Sequence, residues 1–378
     1  MTARRLRLPL VLVLGSLAAV LIAAALPESI LPGDAEPYRE RMAELFSGKI
    51  PYLEFDFEHL PGAIVPMAAA WLLGGSANLQ SYVLALAAVS TICLLATGAI
   101  LQRLESHLET GLAWRWAVAV LPLLPFLLFR NDSWPVLLAV FAFAVGVKGY
   151  DKDWLVAALG VLSKFWPVTW AVIDWWRGRR LRALLLAGLG VAMLVLLRTE
   201  AVIRIQRPIG IHTETFGGSM VAIVRSFQGR PLGLQQTSAL YIEAAPWVTL
   251  ANAVPGLLIA VLVLTGIHKP FSWSRAWVTF GLLVGGIVLA SPLFSTQYLA
   301  WLAPFFAARA TWLRAAVVIN AASLGIILAF DAALRGEMWW FAGVLARNLI
   351  LLGLVFCIAL RERAAILPLG SSEPTRSS

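Results

Sequence analysis

Leu8-Pro-Leu-Val-Leu-Val-Leu-Gly-Ser-Leu-Ala-Ala-Val-Leu-Ile-Ala-Ala-Ala-Leu26 is an apolar run set behind a basic start, Met1-Thr-Ala-Arg4-Arg5-Leu-Arg7. At about 19 residues it is long enough to cross a bilayer core as a helix. A secretory signal peptide shares the basic-then-apolar order. Many similar runs follow, so the segment reads as a retained first transmembrane helix with a cytoplasmic N-terminus. The further candidate spans are 61–74, 79–101, 114–129, 134–148, 154–174, 181–198, 247–267, 275–293, 298–310, 312–330 and 338–360. With the first, about twelve helices or half-helices are expected, since several fall short of a full crossing.

Composition agrees with this reading. The 378 residues are 60% apolar and only 13% charged, against roughly a quarter charged in soluble proteins. Mean hydropathy is +0.80. Disorder, a coiled coil, a disulfide scaffold and an ordinary soluble globule are excluded. A β-barrel would alternate over segments of about ten residues, whereas these runs are unbroken. The expected class is an all-α polytopic membrane protein. Residues 1–365 form its single domain, and 366–378 form a disordered cytoplasmic tail.

The net charge of +9 suggests no nucleic-acid partner. Its basic residues cluster between apolar runs, at Arg177–Arg182, His268-Lys269 with Arg275, Arg309 with Arg314, and Arg361–Arg363. The positive-inside bias puts these clusters in the cytoplasm. Alternation then leaves two large outer loops, 28–60 and 199–246. Cys93 and Cys357 lie in apolar runs and read as buried small hydrophobes. No internal repeat, Walker loop, HExxH or Cys/His zinc spacing is present, so no metal or cofactor is expected.

The first outer loop carries the strongest chemical signal. A short helix is expected from Pro37 to Phe46, ended by Gly48. Asp34 lies just ahead of it, close to the membrane surface. It suits a helix N-cap; it also suits a base that meets a lipid-borne substrate. Glu54, Asp56 and Glu58 alternate along an extended stretch, so all three can face one side, toward acceptor hydroxyls, a divalent ion or simply solvent.

An Asp34…Tyr38 pair after the first span, Gly48-Lys-Ile-Pro51-Tyr52, and Phe57-Glu58-His59-Leu60-Pro61-Gly62-Ala63 together resemble glycosyltransferase family 87. His59 and Leu60 stand where that family has Tyr and a first Pro. This departure bears on sugar identity more than on the family. Arg130-Asn-Asp132-Ser-Trp-Pro135 is similar to the family's Arg-Phe-Asp-x-x-Pro, and Lys164-Phe-Trp-Pro167 to its Lys-x-x-Pro. Ser295-Thr-Gln297-Tyr298-Leu-Ala-Trp301-Leu-Ala-Pro304 is similar to its Ser-Pro-Gln-Tyr-x-x-Trp-Leu-x-Pro, and Gly210-Ile-His212-Thr-Glu214-Thr215 to its Gly-x-His-x-Glu-Ser. The matches run in order over most of the chain.

The resemblance implies a GT-C fold and transfer of a sugar from a polyprenyl-phosphate donor to a lipid or glycan acceptor on the outer face. It implies Asp34 as the base. Tyr38, Glu58, Asp132, Lys164, Arg207, His212, Glu214, Gln297 and Tyr298 are then the candidate substrate contacts. Arg207 and His212 would hold phosphate, drawn from a loop that also offers Arg204, Arg225 and Arg230. Glu214 would bind a sugar hydroxyl. Lys164 interrupts an apolar run, which marks a pathway, a pair or a snorkelling side chain. Gln297 and Tyr298 suit sugar or phosphate contact as well as interfacial anchoring.

Asp132 poses a topological question. Three candidate crossings separate it from Asp34, so strict alternation sends it to the cytoplasmic side. If 61–74 or 114–129 is re-entrant, Asp132 joins the outer site, and 154–174 must be an in-and-back pair broken around Lys164–Pro167. An alternative function, a transporter or flippase for a lipid-linked or anionic substrate, would use Lys164 and Asp132 as a pathway. The large outer loop and the missing repeat favour the enzyme.

Overall fold

The computed structural model describes residues 2–25, 34–196, 210–236, 240–265 and 270–364. Among these, five helices are long and apolar enough to cross a membrane: Leu79–Leu104, Pro246–Leu264, Trp273–Ala290, Ala310–Leu328 and Met338–Arg363. The protein is an all-α membrane protein, with one small sheet as the exception.

The first half runs α1 (Thr2–Ala25), α2 (Ala35–Phe46), α3 (Ile64–Ala70), α4 (Leu79–Leu104), α5 (Leu112–Val120), α6 (Leu124–Leu127), α7 (Ser133–Val147), α8 (Asp153–Ser163), α9 (Trp170–Trp176) and α10 (Arg180–Leu196). Local chemistry sets several boundaries. The Asn78 side chain accepts from the Ser81 N–H at 2.8 Å and starts α4. Gly48, at φ +95°, closes the turn after α2, as expected. Pro122 and Pro125 break 114–129 into α5, a 3₁₀ turn at Leu121–Leu123 and α6.

The second half contributes β1 (Ile211–His212), α11 (Phe216–Phe227), β2 (Leu234–Gln236) and β3 (Leu240–Ile242). It continues with α12 (Pro246–Leu264), α13 (Trp273–Ala290), α14 (Leu299–Phe306), α15 (Ala310–Leu328), α16 (Phe330–Leu334) and α17 (Met338–Ala364). The strands form an antiparallel sheet in the order β1-β3-β2, which a purely helical reading missed. Each strand is two or three residues long, too short for an alternation signal.

Three apolar clusters hold these parts together. The largest joins α1, α4, α5, α7, α9, α12 to α15 and α17, and includes Trp116, Phe143, Trp170, Trp277 and Phe305. A second lies under the sheet and α11, and a third joins α2, α3 and the start of α4. Helices α12 and α13 touch at Gly256, where a Cβ would meet the Gly286 carbonyl oxygen at 2.3 Å. Cys93 is buried as expected, but Cys357 is exposed, and neither is bridged.

Two of the expected spans are rebuilt. The 61–74 segment is a 3₁₀ turn at Pro61–Ala63, α3 and a π turn at Trp71–Gly75, folded back onto α4 through Tyr82. The 154–174 segment is a hairpin. Asp153 at the start of α8 and Asp174 at the end of α9 both approach Arg177, while Lys164 sits at the far end in extended geometry (φ −150°, ψ 148°). The break falls at Lys164 because Pro167 has no N–H to give the Ser163 carbonyl and its ring would crowd that carbonyl in a continuous helix; the chain turns back through a 3₁₀ turn at Trp166–Thr169.

Candidate functional site

Asp34 occupies the position before α2, but its side chain makes no capping bond. Its Oδ2 instead lies 3.1 Å from Nε of Arg130, with the two side chains 28% and 23% exposed. The capping reading is thereby replaced by an ion pair across the fold. Arg130 follows α6, and its guanidinium also donates to Oε1 of Gln297. Ser295 Oγ donates to the same oxygen at 2.6 Å.

Asp132 heads α7 on the same end of the bundle. Its Oδ1 accepts from Trp301 Nε1 at 2.9 Å and lies 3.5 Å from Lys164 Nζ. Its Oδ2 is buried with no partner. Lys164 therefore pairs instead of snorkelling to an interface. Its ammonium stands 5.8 Å from the ring centroids of both Tyr298 and Trp301, which stack at 4.1 Å. This geometry answers the topological question: Asp132 and Lys164 share the end that holds Asp34, against strict alternation. Gly62 helps close it, since a Cβ there would meet Ser163 Oγ at 2.5 Å.

Tyr38 projects from α2 and packs edge-on against His59 at 5.0 Å. Burial, then the charges of Asp34 and Asp132, raise its pKa well above the ordinary phenol value, so it remains a neutral donor. Burial opposes the charge of Arg130, and Asp34, Tyr38, Asp132 and Glu214 together outweigh that effect. Burial first, then Lys164 and Arg41, hold His59 down to about 3. His59 is thus a neutral imidazole beside two cations.

The segment that carries the sheet fits less simply. Arg207 and Arg204 lie outside the described residues. Arg225 donates to the Leu232 carbonyl at 2.7 Å, and Arg230 lines a separate cleft with Leu232 and Arg335. His212 is buried on β1, with Nδ1 unpartnered. Burial is the first cause of its lowered pKa. At neutral pH it offers a hydrogen bond, not the positive charge expected of a phosphate cradle.

Glu214 accepts from Thr296 Oγ1 at 2.8 Å and from Arg347 at 3.1 Å, and its backbone carbonyl takes Arg347 and Asn348 at 2.8 and 2.9 Å. This carboxylate ties the loop to α17. Glu58 likewise pairs with Arg41 at 3.0 Å, and Glu54 accepts from the Ile50 N–H at 2.6 Å. Glu54 lies in a turn, so the acidic trio does not sit on one extended stretch. Among the described residues no group of three His, Cys, Asp or Glu is placed to hold a metal ion.

Two residues of this region were missed in the sequence. Arg130 was legible as a cation two residues from Asp132. Arg347, with a fully buried side chain, was legible as a charge and an amide, Arg347-Asn348, inside the apolar run 338–360.

No family model matches the chain, and no curated protein or solved structure matches it at a significant level.

The assembled site has one accessible carboxylate, two cations, a phenol and a neutral imidazole. Such a set can take a proton, hold an anion and bind hydroxyl groups.

Proposed function

We propose that the chain is a membrane glycosyltransferase. It moves a sugar, mannose or a related hexose or pentose, from a polyprenyl phosphate to the hydroxyl of a lipid- or glycan-borne acceptor on the outer face. The observation that carries this reading is the Asp34–Arg130 pair: Asp34 leaves its helix uncapped to meet a cation, with Lys164 on the other side of the same site. The ordered resemblance to glycosyltransferase family 87 supports it.

The chemistry follows from those groups. The acceptor oxygen forms a bond to the anomeric carbon as the bond from that carbon to the phosphate oxygen breaks. Asp34 takes the acceptor proton. The leaving phosphate keeps the electron pair, so its charge grows, and Arg130 and Lys164 stabilise it. A phosphate needs no general acid to leave. Tyr38 and Gln297 orient the reactants, and the stacked Tyr298 and Trp301 wall the cation pocket.

In this reading 61–74 does not cross and 154–174 crosses twice, so about twelve membrane elements remain and both termini stay cytoplasmic. A cysteine at Ser47 is expected to react with impermeant reagent from outside; labelling only from the cytoplasm removes the mechanism. The activity test is a membrane assay with radiolabelled polyprenyl-phosphate sugars, scanning mannose and arabinose donors. Transfer of label to lipid or glycan is the expected result. Absence of transfer from every donor, with the chain present and folded, rejects the enzyme.

A further inference from the structure

His59 is held in place by unusual local geometry. Tyr52 is the only described residue other than glycine with positive φ, at 66°, a conformation that costs free energy and persists where the surroundings enforce it. Its hydroxyl donates to the His59 carbonyl. The buried Phe57 ring packs edge-on against both Tyr52 and His59, at 5.5 and 5.8 Å, and Tyr38 closes the other side at 5.0 Å. The imidazole is therefore fixed between Tyr38 and Phe57, on the stretch of chain whose Gly62 packs against Ser163, next to Lys164.

Its ring nitrogens make no hydrogen bond to any described residue, and neither is among the fully enclosed polar atoms. A clamped ring with unused, reachable nitrogens can serve a ligand. Its neutrality selects the kind. An anionic phosphate is served by Arg130 and Lys164. A neutral imidazole carries one donor and one acceptor, which matches a hydroxyl.

We propose that His59 hydrogen-bonds a hydroxyl of the sugar on the donor, and so contributes to choosing which sugar is transferred. This rests on the glycosyltransferase reading. The side of the site also matters: Gly62, three residues on, packs against Ser163, the neighbour of Lys164, which puts His59 with the donor.

The test measures binding to the full-length protein in lipid nanodiscs. The probes are mannosyl- and arabinosyl-polyprenyl phosphate, with bare polyprenyl phosphate beside them. Wild type is expected to prefer a sugar-bearing lipid. His59→Leu is expected to weaken that lipid by roughly tenfold, the loss of one buried hydrogen bond, and the bare lipid by less than about twofold. His59→Gln, which keeps a donor and an acceptor, is expected to retain most of the preference. The ratio between lipids within one preparation separates contact from misfolding. Equal weakening of both lipids by His59→Leu, or an unchanged preference, overturns the assignment while leaving the enzyme reading intact. Binding of none of the lipids by wild type overturns both.

Discussion

The bundle carries charged clusters at its two ends, built from the same residue types and organised differently. At one end Arg177 lies over the Trp273 and Phe271 rings, 4.7 and 5.8 Å from their centroids, and pairs with Asp153 and Asp174. Arg179 and Arg182 add contacts to Asp153 at 3.3 and 3.9 Å. Both Asp153 and Asp174 are fully buried, and a Cβ on Gly146 would lie 3.0 Å from the Asp153 carboxylate. The two carboxylates are sealed from solvent, and the charges fasten α8, α9 and the start of α13. At the other end the base carboxylate stays open along with its cations: Asp34, Arg130 and Lys164 all keep a fifth or more of their side chains exposed. A carboxylate left open to solvent, as Asp34 is, marks function better than one sealed in the fold, as Asp153 and Asp174 are.

The largest expected effect breaks the open end alone. Asp34→Asn removes the base and should cut turnover by about 10²–10⁴-fold. Because Asp34 does not cap α2, thermal stability should barely change. Glu36→Gln, two residues on, should be tolerated in the same transfer assay. The reverse pattern would assign the base to Glu36.

The closed end should behave oppositely. Arg177→Ala leaves two buried aspartates without their shared partner, and loss of one member of a buried pair costs about 3–5 kcal/mol. The expected outcome is a large drop in melting temperature in detergent, with transfer per folded molecule preserved. Loss of turnover in molecules that remain folded would mean that the two ends are coupled. Lys164→Ala lies between these cases: removing one partner of a phosphate contact should weaken donor binding by about 2–5 kcal/mol, read as a higher KM for the donor. An unchanged KM would move the phosphate to Arg130 alone.

The sequence was informative where periodicity and order carry the signal. Long apolar runs predicted the membrane helices, and the loop helix with its Gly48 stop appeared as expected. The order of short motifs named Asp34, Tyr38, Asp132, Lys164, Gln297 and Tyr298, and the fold brings them together. Partners were not legible. Nothing local says that Asp34 meets Arg130 rather than its own helix, because the two are joined only by tertiary packing. Glu214 illustrates the same limit from the other side. Its motif resembled a ligand set, yet its partner Arg347 lies 133 residues away and occupies it. Hydrophobic length alone likewise could not tell a crossing from the α8–α9 hairpin, since both are apolar over most of their length.

The smallest expected effect is the part of the pH dependence that the histidines of the open end carry. His59 is held at about 3 by burial, Lys164 and Arg41, and His212 is lowered chiefly by burial. Both lie at the open end, and the closed cluster contains no histidine. In the unfolded chain each would titrate near 6.5. The unfolded state thus binds protons that the folded state refuses, and stability must fall as pH drops below about 6.5. For His59 the loss continues until pH approaches its folded value near 3, at no more than about 1.4 kcal/mol per pH unit. Glu214, also lowered although burial opposes this, adds its own loss only as pH falls through the carboxylate range, near and below about 4.5. Between pH 7 and 5 the histidine contribution is read as the difference between wild type and a His59 variant, in which every other titrating group is shared. His59→Gln removes one titrating group, so its melting curve should fall less steeply with acid than that of wild type over this window. Parallel curves would mean that the His59 ring takes up its proton as readily folded as unfolded, and the picture of a neutral imidazole clamped beside Lys164 would be lost.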